Sequence, residues 1–206
     1  MLMSMADIAQ KHGPIRRVVH VGGHQGQEIP SYLLAGAKQI DVFEPLDFNL
    51  AVLRERWDHE PRVTIHPVAL GNRVGEVDIF VASNEGQSSS VLVPKDHLTQ
   101  YPHITFQTSK TVPLARLDDF RLSQVDFLAM DVQGYELEVL RGAAKTLEKT
   151  ELVYCEVNQA ELYEGCAQVE QIDEFLAGYG LERVATDWVG RTWGDALYVK
   201  RTLGIG

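Results

Sequence analysis

The sequence predicts an α/β fold: a mostly parallel sheet with helices on both faces and an antiparallel last strand. Three observations carry this. Strand-like and helix-like stretches alternate from residue 18 to residue 70 and again from 125 to 179. Such alternation builds parallel strands joined by crossover helices. A glycine-rich turn, Gly22-Gly23-His24-Gln25-Gly26, joins the first strand to the first of those helices. The last two strand-like stretches are separated only by residues 187–195, which hold no helical pattern. A parallel crossover takes about a dozen residues or more, so these two strands are expected to pair antiparallel.

Residues 1–15 are a lead-in, with a short helix over 4–11 to which no role is assigned. Residues 18–21 form the first strand. The next helix is expected over 25–35, where Pro30 is tolerable only near the first turn. Residues 40–44 form the second strand. Leu46, Leu50, Leu53 and Trp57 then recur at helical spacing, and Pro61 stops that helix. Residues 63–70 form the third strand. Val77, Ile79 and Val81 alternate with polar residues, as in an added strand with one buried face. Residues 83–104 are rich in Ser, Asn, Gln, Pro and His and form the longest irregular stretch. Long loops in compact domains often carry function, so residues 83–108 are expected to meet the substrate or act as a lid.

Residues 108–114 form another short strand, with a brief helix at 117–121. Residues 125–130 are a core strand ending at Asp131, with Gly134 in the turn. Leu137, Leu140, Ala144 and Leu147 mark the following helix, and 152–157 a further core strand ending near Glu156. Val169, Ile172, Phe175, Leu176 and Tyr179 mark the last long helix, and 181–186 and 196–200 close the sheet. No repeat or linker divides the 206 residues, which read as a single domain.

The net charge is −10, and Arg16-Arg17 is the densest basic pair. Nucleic acid and anionic membrane surfaces are therefore not expected partners. The two cysteines, Cys155 and Cys166, make neither a disulfide framework nor a zinc pattern, which favours a reducing compartment. No signal-peptide core opens the sequence, and no apolar run reaches the roughly 18 residues that span a bilayer. The expectation is a cytoplasmic protein.

The glycine turn is the first candidate site. Gly23 and Gly26 match the last two glycines of Gly-x-Gly-x-x-Gly, but Val21 stands at the first. That weakens a nicotinamide or flavin reading. The looser turn, with Glu44 ending the next strand, better suits S-adenosyl-L-methionine. Glu44 would accept hydrogen bonds from the ribose hydroxyls, and Ala69 would lie beside the adenine. Asp131 ends a strand at the crevice where such sheets bind ligands. It is placed to act as a base, to anchor the methionine amino group, or to bind a metal; its plainer use is to cap the next helix. Glu136, in the first turn of that helix, would complement its dipole. His24 is the other candidate base, and Glu156 would pair with Asp131. No compact ligand spacing demands a metal, and none is expected. Ser88-Ser89-Ser90 would bind ligand or merely shape a loop. Trp188 and Trp193 would line the acceptor pocket or pack internally.

The motifs resemble FkbM-type methyltransferases. The matching stretches are residues 19–28, Phe43-Glu44-Pro45, 68–71, Glu156, 193–198 and, most specifically, Asp131-Val132-Gln133-Gly134-Tyr135-Glu136 through Ala143. The resemblance implies a Rossmann-like class I methyltransferase fold with a seven-stranded sheet. It also implies S-adenosyl-L-methionine as methyl donor and O-methylation of a small-molecule or saccharide hydroxyl. Many members carry Asp where this chain has His20, which bears on how the methionine end is held. Two rivals remain: an NAD-dependent oxidoreductase, and a non-catalytic Rossmann-like binding module.

Overall fold

The computed structural model describes residues 3–190 and 192–201. Helix α1 (Met5–His12) leads into strand β1 (Arg17–Val21), helix α2 (Ile29–Leu34), β2 (Gln39–Phe43), α3 (Asp47–Trp57) and β3 (Val63–His66). A second set follows: β4 (Ala69–Leu70), β5 (Gly75–Ala82), α4 (Asp96–Gln100), β6 (Phe106–Ala115) and a 3-10 turn at Leu117–Phe120. The chain then forms β7 (Val125–Met130), α5 (Glu136–Arg141), α6 (Ala144–Leu147), β8 (Thr150–Asn158), α7 (Val169–Ala177), β9 (Leu181–Val189) and β10 (Trp193–Lys200).

The main sheet has seven strands in the order β3-β2-β1-β7-β8-β10-β9. Pairings from β3 through β8 are parallel, while β10 runs antiparallel to both β8 and β9. The expected antiparallel closure is present. Strand alternation sends Val19, Val21, Leu128 and Val153 to one face, with α5, α6 and α7. It sends Val18, Ile40, Phe127 and Leu152 to the other, with α1, α2 and α3. His20, Asp131, Glu156 and Asp195 follow the same alternation, so all four fall on the α1–α3 face.

Four elements differ from expectation. Helix α2 begins at Ile29, four residues late. A helix from residue 25 would put Pro30 beyond the first turn, where its ring clashes with the preceding turn. Residues 23–28 instead form successive turns, with Gly26 N–H donating to the Gly23 carbonyl at 2.8 Å. The expected third strand splits at Pro67, which has no N–H for the ladder. Residues 63–66 stay in the main sheet, while Ala69-Leu70 pair with Leu114-Ala115 in a separate three-stranded sheet, β4-β6-β5. That sheet packs Ala69, Ile79, Val112 and Leu114 against Leu46. The helix expected through Leu147 breaks at Gly142-Ala143 into α5 and α6. The irregular stretch contains α4 and is pinned to the body, His97 N–H and Lys95 N–H both reaching the Leu162 carbonyl.

The glycine turn is held from two sides. Gly22 and Gly23 both donate to the Phe43 carbonyl at 3.0 Å. Gly22 has φ +79°, and a Cβ there would fall 2.0 Å from the Asp131 carbonyl oxygen. Gly22→Ala would therefore carry the left-handed penalty of about 1–2 kcal/mol and push β1 away from β7. The expected result is a lower melting temperature together with loss of ligand binding at the turn, checked by thermal denaturation and calorimetry.

Candidate active site

A cavity of about 310 Å3 opens at the carboxyl ends of β1, β2 and β7, where ligands bind in open α/β sheets. Of the residues singled out from sequence, His20, Gly22, His24, Glu44, Ala69, Ser89 and Asp131 line it. Gly23 and Gly26 lie behind the turn they shape. Glu156 lies outside the lining, and so do Trp188 and Trp193. Trp193 instead donates its indole N–H to the Tyr101 hydroxyl at 2.8 Å.

Glu44 is buried, 5% exposed. Its Oε2 accepts the His24 N–H at 2.9 Å and its Oε1 the Leu46 N–H at 2.8 Å. Burial pushes its carboxyl up to about 7, against those two backbone donors. Its folded pKa thus lies above the unfolded value, so the folded state binds the extra proton. That stability is full below about pH 4.5 and is lost as pH rises through about 7. Lowering pH from about 8 to about 6 should therefore stabilise the protein by about 1 kcal/mol through Glu44. Melting curves of wild type and Glu44→Gln should differ by that slope.

His24 adopts φ +46°. Its Nε2 lies 2.9 Å from the Glu85 carbonyl, which only accepts, so Nε2–H donates there. Nδ1 then accepts from the Gln27 amide at 2.8 Å. Both ring nitrogens are engaged, and the ring latches the turn to the 83–104 stretch. His20 is 4% exposed, and its Nδ1 meets the Tyr32 hydroxyl at 3.3 Å. Burial lowers its pKa below the ordinary value, so it is neutral at pH 7.

Asp131 opens onto the cavity from the end of β7. Its Oδ1 accepts the Gln133 amide N–H at 2.7 Å. Its side chain is exposed to the cavity, whose walls partly desolvate it and push the carboxyl up to about 6; Gln133 opposes the shift and Asp195 adds to it. Asp131 does not cap α5. The N–H groups of Val132 and Gly134 go to Glu136 Oε1 at 3.0 and 3.3 Å. Burial pushes the Glu136 carboxyl up to about 7.

Glu156 is 4% exposed, and burial followed by the Asp131 charge raises its pKa well above the carboxylate range. Its Oε2 accepts the other Gln133 contact at 2.9 Å. The two carboxyl groups expected to pair therefore meet only through the Gln133 amide. Among the described residues no three His, Cys, Asp or Glu side chains converge as a metal set. The serines of 88–90 mainly build the loop: Ser88 Oγ accepts from Asn84 Nδ2, Ser89 Oγ from Ala82 N–H, and Ser90 Oγ donates to the Gln133 carbonyl.

Several lining residues have no role assigned from sequence: Asn49, Tyr154, and Glu28 and Asp195, although these last two stand in the matching stretches 19–28 and 193–198. Tyr154 donates to Asp195 Oδ2 at 2.6 Å and accepts the Met3 N–H at 3.0 Å, so the lead-in touches the cavity wall. Asp195 was within reach of a register argument, because antiparallel pairing sets it opposite Glu156. Asn49 faces inward from a helix whose apolar spacing gave no hint of it.

The lining suits a cationic nucleoside. Val68, Ala69, Leu70 and Ile79 give one end an apolar wall, and Asn49 Oδ1 is buried there without a partner. The other end carries Glu28, Asp131 and Asp195, and no Lys or Arg is among the described lining residues. This sheet order, with the antiparallel β10 between β8 and β9 and the glycine turn at the cavity, is the Rossmann-like fold of class I methyltransferases.

Comparison with known proteins agrees. The family described as "Methyltransferase FkbM domain" matches residues 20–182. The chain is 30% identical over 188 residues to the 2-O-methyltransferase NoeI of Sinorhizobium fredii, covering 86% of this chain and 76% of that protein. The crystal structure of methyltransferase FkbM from Methylobacillus flagellatus superposes with a TM-score of 0.62 at 15% identity, over 90% of this chain and 44% of that one. Magnesium protoporphyrin IX methyltransferase from Synechocystis, crystallised with bound S-adenosylmethionine, shares the fold with a TM-score of 0.53 at 11% identity, over 96% and 76%. The chain belongs to the FkbM methyltransferase family.

Proposed function

We propose that this protein transfers a methyl group from S-adenosyl-L-methionine to a hydroxyl oxygen of a small molecule or saccharide. The observation that carries the proposal is Asp131: a carboxylate open to the cavity, held by one oxygen, and pushed up to about 6. The hydroxyl class is supported by the 2-O-methyltransferase among its relatives.

When bound, S-adenosyl-L-methionine supplies an electrophilic methyl on a sulfonium. The residues of the chain do the rest. The turn at Gly22, Gly23 and Gly26 lets the backbone approach the ligand closely, and Glu44 holds the ribose hydroxyls. Ala69 and Ile79 flank the base. His20, being neutral, leaves the methionine end to Glu28 and Asp195. An alcohol is a weak nucleophile until its proton is shared, and a base works best with a pKa near the operating pH. Asp131 takes that proton through Oδ2, which makes no hydrogen bond among the described residues. His24, with both nitrogens engaged, serves the loop rather than the proton. Residues 83–108 meet the acceptor. We place the protein in the cytoplasm, a reading supported by two buried free thiols, Cys155 and Cys166.

Calorimetric titration with S-adenosylhomocysteine, with NAD for comparison, tests this. Saturable binding of S-adenosylhomocysteine alone is expected. Binding of NAD alone would overturn the methyltransferase reading of the cavity, and binding of neither would favour a non-catalytic module.

A further inference from the structure

Gln133 occupies an uncommon backbone position. Its φ is +54°, and Gly134 follows at +95°. A side chain other than glycine persists there only when its surroundings hold it. Here every polar group of Gln133's side chain is spoken for. Its Nε2 donates to Asp131 Oδ1 at 2.7 Å and to Glu156 Oε2 at 2.9 Å. Its Oε1 accepts the Tyr163 hydroxyl at 2.8 Å, whose proton is shared with the Ser88 carbonyl at 2.9 Å, and its carbonyl accepts the Ser90 hydroxyl at 2.7 Å. Chemistry fixes the amide orientation: an ionised Asp131 only accepts, so the NH2 must face it.

We infer that Gln133 is the positioning residue of the methyl-transfer centre: it grips Asp131 by Oδ1, leaves Oδ2 to the acceptor hydroxyl, and ties that carboxylate to Glu156, Tyr163 and residues 88–90. The inference rests on the reading of Asp131 as the base. Among the described residues, the groups facing Asp131 are otherwise acidic or neutral. They are Glu156 from β8, Asp195 from β10, Glu136 from α5, Glu28 from the turn before α2, and neutral His20 from β1. Burial first, and the Asp195 and Glu28 charges after it, favour a protonated Asp131, and a protonated carboxyl cannot take a proton. The Gln133 amide opposes them without adding charge.

The test needs no acceptor. Sinefungin carries an amine where the transferable methyl would stand, and S-adenosylhomocysteine carries nothing there. That amine stays cationic across the range in which Asp131 titrates. Both ligands would be titrated calorimetrically between about pH 5 and 8 into wild type, Asp131→Asn, Gln133→Ala and Gln133→Glu. Wild type should prefer sinefungin by about tenfold or more at the alkaline end. That preference should fade below about pH 6, where Asp131 protonates. Asp131→Asn should abolish it at every pH.

Gln133→Ala should move the transition up by about 0.5 pH unit or more. Its S-adenosylhomocysteine affinity at the alkaline end should stay within about threefold of wild type. Gln133→Glu, similar in size but a carboxylate, should move the transition further. An unmoved transition in both Gln133 variants would overturn the inference. So would a parallel loss of S-adenosylhomocysteine affinity in both, which would make Gln133 merely structural. If wild type fails to bind S-adenosylhomocysteine, or its sinefungin preference survives Asp131→Asn, the reading of the site itself fails and takes this inference with it.

Discussion

Asp131→Asn should cut methyl transfer by at least about 100-fold, the range expected when a general base is lost, while leaving S-adenosylhomocysteine affinity nearly unchanged. The substitution keeps the size of the side chain and keeps an oxygen for the Gln133 amide, whose contact is 2.7 Å in the native protein. It removes the negative charge and the lone pair that takes the acceptor proton. The fold should not suffer, because Asp131 caps nothing: α5 has no side-chain cap, and the turn N–H groups of Val132 and Gly134 go to Glu136. The measurement is single-turnover transfer of a labelled methyl group, using an acceptor found by screening hydroxyl compounds with wild type. Full activity would exclude Asp131 as the base. The pH profile gives a second view: wild-type turnover should fall below about pH 6 as the Asp131 carboxylate is protonated.

Glu44→Ala should weaken S-adenosylhomocysteine binding by about 1–3 kcal/mol, the usual worth of hydrogen bonds to a charged group, which is about 5- to 150-fold in affinity. Glu44 has two duties, and one control separates them. It receives the backbone N–H groups of His24 and Leu46, so alanine also leaves those donors without their partner. Glu44→Gln keeps one acceptor oxygen and removes the charge. If Glu44 contacts the ribose, both variants should bind more weakly than wild type, and the glutamine variant, whose oxygen keeps one of the two backbone N–H groups, should lose less melting temperature than the alanine variant. An affinity equal to wild type in both variants would remove Glu44 from the ligand.

The sequence exposed the parts of the fold that rest on periodicity. Strand β1, strand β7 and helix α7 showed regular apolar spacing, and the short 187–195 connection foretold antiparallel closure, now seen in β9 and β10. Places where one residue overrides a pattern were harder to read. Pro67 cuts an apolar run that looks like a single strand, and sends its second half into another sheet. Pro30 delays α2. The site was partly legible. Strand-end carboxylates announce themselves at the end of an apolar run, as Glu44 and Asp131 did. Gln133 did not, because a left-handed backbone and an amide shared between two acids are products of tertiary structure. Nor did Asn49, whose inward turn depends on how α3 packs. The sequence left open whether His20 would be charged; burial beside Tyr32 makes it neutral.

Four non-glycine residues among those described have positive φ, and three of them serve the cavity: His24 and Glu85 form the latch across it, and Gln133 grips Asp131 on its wall. Glycine at any of the three would relieve backbone strain of about 1 kcal/mol or more. A laboratory selection for heat resistance alone should therefore drift toward glycine at 24, 85 and 133, and the survivors should be sturdier and slower. Positions where a protein forgoes stability it could easily have had are a record of what it is asked to do. In this chain that record is written around Asp131.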